Sequence, residues 1–230
     1  MLFPWHDPTI VMLIPALILS VYAQYKVQST FSRYSQVASS RLLTGADLAG
    51  QLLRGGGLYG VRVEYTPGNL TDHYDPAQRV LRLSESVYGS NSVAALGVAA
   101  HEVGHAIQHH EGYVPLQLRN SIVPVANLAS TAAMPLLFIG IIMGSLGLIK
   151  LGAVLFSAVV VFQLVTLPVE FNASNRAVSL LSRGGYLDAR EIPMVKKVLG
   201  AAAMTYLAAA LVSVLNLARF LVLAGMGREE

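Results

Sequence analysis

Ala99 to His110 reads AAHEVGHAIQHH, and His101, Glu102, Val103, Gly104 and His105 within it form the pattern His-Glu-x-x-His. On a helix, residues four apart lie on one face, so His101 and His105 aim two imidazoles at one point while Glu102 sits one position round beside them. Two imidazoles with an adjacent carboxylate make a divalent-metal site with a built-in base. The flanks agree with a helix: Ser90, Asn91 and Ser92 offer N-cap oxygens, and Val93 to Ala100 is a small, apolar run leading into the pattern. Gly104 is the dissonant residue, since glycine costs about 1 kcal/mol relative to alanine in a helix interior. The competing reading is a buried helix whose two histidines only pack and hydrogen-bond.

Composition sets the surroundings of that helix. The chain has 230 residues, 54% of them hydrophobic, and its mean hydropathy of +0.55 is too apolar for an ordinary soluble domain. A membrane protein is therefore expected. There is no cysteine, so disulfides and thiolate ligation are excluded and any metal must be held by histidine, carboxylate or backbone groups. The formal charge is only +3, and the basic residues lie mainly beside apolar runs instead of forming a patch with exposed aromatics. That placement orients a chain in a membrane, and no nucleic-acid partner is expected.

Pro8 to Tyr25 is an uncharged run of 18 residues, about enough to cross a bilayer at 1.5 Å per residue. The lead MLFPWHD carries no positive residue, so a retained anchor is favoured over a cleavable signal peptide. Lys26, Arg33 and Arg41 follow the run, which places the N-terminus outside and the next segment in the cytoplasm. Asn120 to Ile149 gives 30 uncharged residues, Leu151 to Val169 a further 19, and Val198 to Ala218 another 21. The first two read as a helical hairpin joined near Gly144 to Lys150, and Arg176, Arg183, Arg190, Lys196 and Lys197 mark its return to the cytoplasm. Arg219, near the far end of the last run, is expected to snorkel or to be paired. The expected organisation is an anchor over 8–25, a cytoplasmic segment over 26–120, a membrane hairpin over 121–169, a cytoplasmic segment over 170–197 and a last span over 198–220.

Within the polar part, Thr44 to Arg54 has a capping Thr and helical spacing of Leu48, Leu52 and Leu53, ended by Gly55, Gly56 and Gly57. Val61 to Tyr65 and Arg79 to Leu83 read as strands separated by the turn-like PGNLTDHYDP, a small β-hairpin before the histidine helix. A free strand edge there would bind an extended peptide through its main chain, with Leu81 and Leu83 roofing the helix as the plainer alternative.

A catalytic zinc commonly takes three protein ligands and leaves the fourth position for water, so the two histidines need another donor. Glu170, in LPVEFNASNRAV, is the best placed: it leaves an apolar span at what reads as a helix start, where a charge needs a partner. His109, His73, Asp75, His110 and Glu111 compete, although three ligands from one straight helix would strain a tetrahedral site.

HEVGH beside a membrane surface, followed after a helical hairpin by VEFNAS, resembles the HtpX and CAAX prenyl protease group, whose second motif is Glu-x-x-Ala-Asp. The whole chain is more similar to the YugP-like family of membrane neutral zinc metallopeptidases, through the anchor, HEVGHAIQH, LPVEFNAS and the final apolar helix. The resemblance implies a mainly α membrane protein of about four transmembrane helices with a cytoplasmic zincin-like protease domain. It implies one Zn2+ per chain on His101, His105 and Glu170, with Glu102 as the catalytic carboxylate. The Asp that closes the second motif is Ser174 here, a weaker acceptor for a ligand histidine, with Asn172 as the substitute.

On this reading the protein is a multi-pass endopeptidase of the plasma membrane, with its active site on the cytoplasmic side. It hydrolyses membrane or membrane-proximal polypeptides, and its partners are the lipid bilayer, that polypeptide, and a homo-oligomer or regulatory membrane protein. Tyr113, His110, Arg176 and Tyr206 are unranked candidates for oxyanion stabilisation, and His109 for a substrate or supporting role. The rival is a non-catalytic membrane adaptor tied together by zinc, but structural zinc usually closes with four ligands, cysteine among them. A transporter is disfavoured because the charges cluster at one interface.

Overall fold

The computed structural model describes residues 8–226; the lead MLFPWHD lies outside them. After a 3-10 turn at Pro8–Leu13 come α1 (Ile14–Ser35), α2 (Gly45–Gly55), β1 (Arg62–Thr66), β2 (His73–Asp75), β3 (Val80–Ser84), α3 (Glu85–Tyr88), α4 (Val93–His110), α5 (Val114–Ile142), α6 (Leu146–Arg183) and α7 (Ile192–Met226). Among the described residues four helical stretches are long and apolar enough to cross a membrane: Thr9–Ser35, Val114–Ile142, Leu146–Arg183 and Ile192–Gly225. The architecture is mainly α with one small sheet.

The chain divides into two compact units. The described residues of one, Met1–Ala23 with Leu118–Leu167 and Thr205–Glu230, are helical and apolar. Its core is built from Ala133, Leu137, Ile149, Ala153, Phe156, Val160 and Phe220, with the Phe156 and Phe220 rings edge to face at 5.3 Å. α5 and α6 approach closely because a Cβ on Gly152 would meet the Leu137 side chain, and one on Gly140 the Ile149 backbone. Three residues join the two helices, and Gly144 turns there with φ 61°. Lys150, read as the joint, sits inside α6. Arg219 is paired: its Nε donates to Thr9 Oγ1 at 3.2 Å.

The other unit, Gln24–Gln117 with Pro168–Met204, holds the sheet and α4. Thr44 and Asp47 form a capping box at the start of α2, which buries Leu48, Leu52 and Leu53 against a core shared with Leu81, Leu83, Leu96 and Val103. α4 begins at Ser92, whose Oγ accepts from Ala95 N at 3.2 Å. It is buried over nearly its whole apolar length, as a helix hydrophobic all round should be.

The sheet has the order β1-β3-β2, with β1 parallel and β2 antiparallel to β3. The two strands read from the sequence thus pair in parallel, and the hairpin is formed by β2 and β3. Parallel neighbours need a crossover, and the turn-like stretch supplies it while lending His73–Asp75 as a third strand. β3 takes the centre because Val80, Leu81, Leu83 and Ser84 are all buried, whereas both outer strands are half exposed.

α6 is also longer than expected. Glu170 does not begin a helix but lies inside α6, two residues after Pro168. Proline removes one main-chain bond and usually marks a boundary, but within an apolar helix neighbouring groups can absorb that loss.

Candidate metal centre

Three ligand atoms converge between α4 and α6. His101 Nε2 and His105 Nε2 are 3.1 Å apart, and Glu170 Oε2 lies 3.3 Å from the first and 3.6 Å from the second. Ligands at 2.0–2.1 Å from a tetrahedral zinc stand about 3.3–3.4 Å apart, so the three separations fit one such ion. They form the one group of three or more metal-ligating side chains among the described residues. All three are largely withdrawn from water, with Glu170 only 4% exposed.

The environment favours a cation at this point. Burial pushes the His105 imidazole down, but the hydrogen bond to Glu170 and the negative charges of Glu102 and Glu170 outweigh it and hold its pKa above the ordinary histidine value. A proton or a metal ion answers the same demand.

The orientation of His105 is fixed by Gln108, a fully buried polar residue one turn along α4. Gln108 Nε2 donates to the Val169 carbonyl and to Asn172 Oδ1, each at 2.9 Å. A backbone carbonyl only accepts, so the amide must face it with nitrogen, and Gln108 Oε1 must face His105 Nδ1, 3.0 Å away. Nδ1 therefore carries the hydrogen and Nε2 offers its lone pair to the shared point. Asn172 Oδ1 also accepts from Arg176 Nε at 2.7 Å, and Arg176 Nη2 pairs with Glu111 at 2.7 Å. Asn172 and Arg176 thus act through Gln108. Ser174 Oγ, where the resembling motif has Asp, sits 3.2 Å from His101 Nδ1.

Gly104 finds its reason here. A Cβ at this position would lie 2.8 Å from the Ala173 carbonyl oxygen and 3.2 Å from its Cα. The glycine that weakens α4 locally lets α6 come close enough for Glu170 to reach both histidines.

Glu102 is buried at 8% exposure and makes no hydrogen bond or ion pair among the described residues. Its charge is nonetheless felt by His105. Four of the other competitors are engaged elsewhere, and His110 lines a cavity with His109. His109 Nδ1 is 2.9 Å from the Tyr74 hydroxyl, His73 Nδ1 donates to the Thr71 carbonyl, Asp75 pairs with Arg82, and Glu111 with Arg176. Tyr113 joins α4 to α5, its N–H donating to the Gln108 carbonyl at 2.9 Å. Tyr206 falls in the apolar unit. Sequence reading missed Gln108, although its place three residues after His105 puts it on the same helix face.

The comparisons agree with this chemistry. A family model described as "Putative neutral zinc metallopeptidase" matches residues 9–225. The "Putative membrane protease YugP" of Bacillus subtilis (strain 168) is 55% identical over 218 residues, which cover 94% of this chain and 96% of that protein. No solved structure matches. With two imidazoles and a carboxylate spaced for one zinc ion, and a family match that runs through both units, the chain belongs to this family of neutral zinc metallopeptidases.

Proposed function

We propose that this protein is a membrane-bound zinc endopeptidase that cleaves membrane or membrane-proximal polypeptides at the cytoplasmic face, with one zinc ion per chain on His101, His105 and Glu170. The observation that carries the reading is the convergence of those three ligand atoms beside Glu102, a buried carboxylate left without a partner among the described residues. Bound zinc would supply a Lewis acid that polarises the scissile carbonyl and acidifies water.

Glu102 then takes one proton from the attacking water onto its carboxylate. The water oxygen bonds to the carbonyl carbon, the C–N bond breaks, and Glu102 returns the proton to the departing amine. Gln108 keeps His105 in the tautomer and orientation that ligation needs, and Ser174 supports His101. β2 supplies the docking edge. Among the described residues it pairs only with β3, and Tyr74 on it reaches His109 of the helix that carries Glu102. An extended peptide added to that edge forms main-chain bonds that do not depend on its sequence.

In this reading residues 8–25, 121–169 and 198–220 lie in the plasma membrane, and 26–120 and 170–197 in the cytoplasm. The basic residues Lys26, Arg33, Arg41, Arg176, Arg183, Arg190, Lys196 and Lys197 support that orientation. The test compares zinc content and peptide cleavage for the detergent-solubilised parent and Glu102→Gln. The variant should retain zinc and lose turnover by about 10²–10⁴-fold; equal activity in the two proteins ends the reading.

A further inference from the structure

Beyond the metal ligands, α4 carries a second set of polar side chains. On a helix advancing 100° per residue, Glu102, Ala106 and His109 fall within about 60° of one another. The side of α4 that presents Glu102 therefore continues toward the helix C-terminus past Ala106 and His109. A cavity of about 320 Å³ opens there, lined by Tyr74, Arg79, Ala106, His109 and His110 together with residues 57–61.

No carboxylate lines this cavity. The nearby acids are already engaged. Asp75 accepts from Ala77 N and Gln78 N and pairs with Arg82, Glu64 pairs with Arg62 and Arg82, Asp72 holds Ser84, and Glu111 holds Arg176. Arg79 has no ion pair among the described residues. It also stands at φ 53°, a left-handed position at which glycine would serve the turn with less strain. Its charge reaches into the cavity wall: burial pushes the Tyr74 phenol upward, and Arg79 pulls against that push. The Tyr74 hydroxyl and His109 Nδ1, both in the lining, brace each other 2.9 Å apart.

We propose that this cavity binds a carboxylate of the polypeptide substrate, from an acidic side chain or the chain's C-terminus, and holds it on Arg79 about one helical turn beyond His105. The inference rests on the peptidase reading and deepens it, giving the enzyme a preference for acidic sequence. A single guanidinium offers a two-pronged donor matched to one carboxylate. The phenols and imidazoles around it add further hydrogen-bonding groups for the same carboxylate.

The probes are peptide mixtures carrying Glu, Gln or Lys at one fixed position, each as free acid and as C-terminal amide. Binding is read by fluorescence anisotropy on full-length, zinc-loaded Glu102→Gln protein in detergent, and cleavage on the parent. At one position Glu should bind about 10–100-fold more tightly than Gln. Adding Arg79→Gln to Glu102→Gln should erase that difference, leaving zinc content and the affinity for Gln mixtures unchanged, and Arg79→Glu should turn the preference toward Lys. A preference that follows the internal Glu assigns the pocket to a side chain, and one that follows the free acid over the amide assigns it to the C-terminus; either supports the proposal. Mixtures that bind alike, or a preference that survives Arg79→Gln, overturn it. Discrimination in binding without cleavage of any mixture by the parent would remove the peptidase reading and leave the pocket standing. Cleavage without discrimination would do the reverse.

Discussion

Many polar side chains in the apolar unit bond to their own helix, whereas several in the unit that carries the candidate metal centre bridge segments far apart in sequence. In the first, Ser130 and Thr131 donate to the Asn127 carbonyl, Ser157 to Val154, Thr166 to Phe162, Ser213 to Ala210 and Asn216 to Val212, each three or four residues back. In the second, Gln108 reaches Val169 and Asn172 across 61 and 64 positions, Ser174 reaches His101 across 73, and Ser40 reaches Glu191 across 151. Where lipid is the solvent, a hydroxyl satisfied by its own backbone leaves the outer surface apolar and specifies no partner. Where water is available, a long-range polar contact can select one arrangement of segments, and the convergence of His101, His105 and Glu170 depends on that selection. A long-range pair in the apolar unit, Arg219 with Thr9, involves a charge that no helix turn can satisfy.

The contrast predicts a graded series of effects. Glu170→Ala removes one of three converging ligand atoms, so zinc measured by metal analysis after dialysis should fall from about one ion per chain to nearly none; full retention would take Glu170 out of the site. Gln108→Leu leaves every candidate ligand in place but frees the His105 ring and removes the side-chain donor to the Val169 carbonyl. Zinc affinity from chelator competition should drop about 10–100-fold, and an unchanged affinity would make the bridge ornamental. Gly104→Ala inserts a methyl group against the Ala173 carbonyl, and overpacking of this kind costs about 1–3 kcal/mol. A lower melting temperature together with weaker zinc binding is expected, because the displaced helix bears Glu170.

Acidity separates the metal-free and metal-loaded forms. With the His105 pKa raised in the folded protein, folding takes up a proton. That stabilisation is complete below about pH 6.5, the ordinary histidine value, and is lost as pH rises through the folded value. Metal-free protein should therefore melt at lower temperature as pH is raised from about 6 to 8. Zinc-loaded protein should show the opposite slope, because its ligands must shed protons to bind. The smallest effect belongs to the apolar unit: Ser157→Ala, which removes only a bond to its own helix, should change stability by less than about 0.5 kcal/mol. A loss several times larger would erase the distinction between the two regions.

What could be read from the sequence was whatever local spacing determines. The histidine pair four apart, the Thr44 cap and the long uncharged runs each carry their physics within one or two helical turns. The parallel pairing of β1 with β3 does not, because it depends on which strand is buried on both faces and on a three-residue strand hidden in a segment dense with turn formers. Pro168 misled in a related way, since its local meaning as a boundary is overridden inside a long apolar helix. Glu170 was legible as a costly carboxylate in need of a partner. Gln108 was passed over because a glutamine has no such cost until burial is known, and Ser174 and Asn172 could be named but not assigned to different histidine supports.

The close contact of Gly104 with Ala173 also sets a schedule. His101 and His105 leave the ribosome together, but Glu170 is encoded 65 residues after His105, which at typical synthesis rates is roughly 3–13 s later. Until α6 has been made and has closed on Gly104, a nascent chain offers two imidazoles and no third ligand. On the proposed ligand set, zinc capture would thereby be deferred until the later helix is in place.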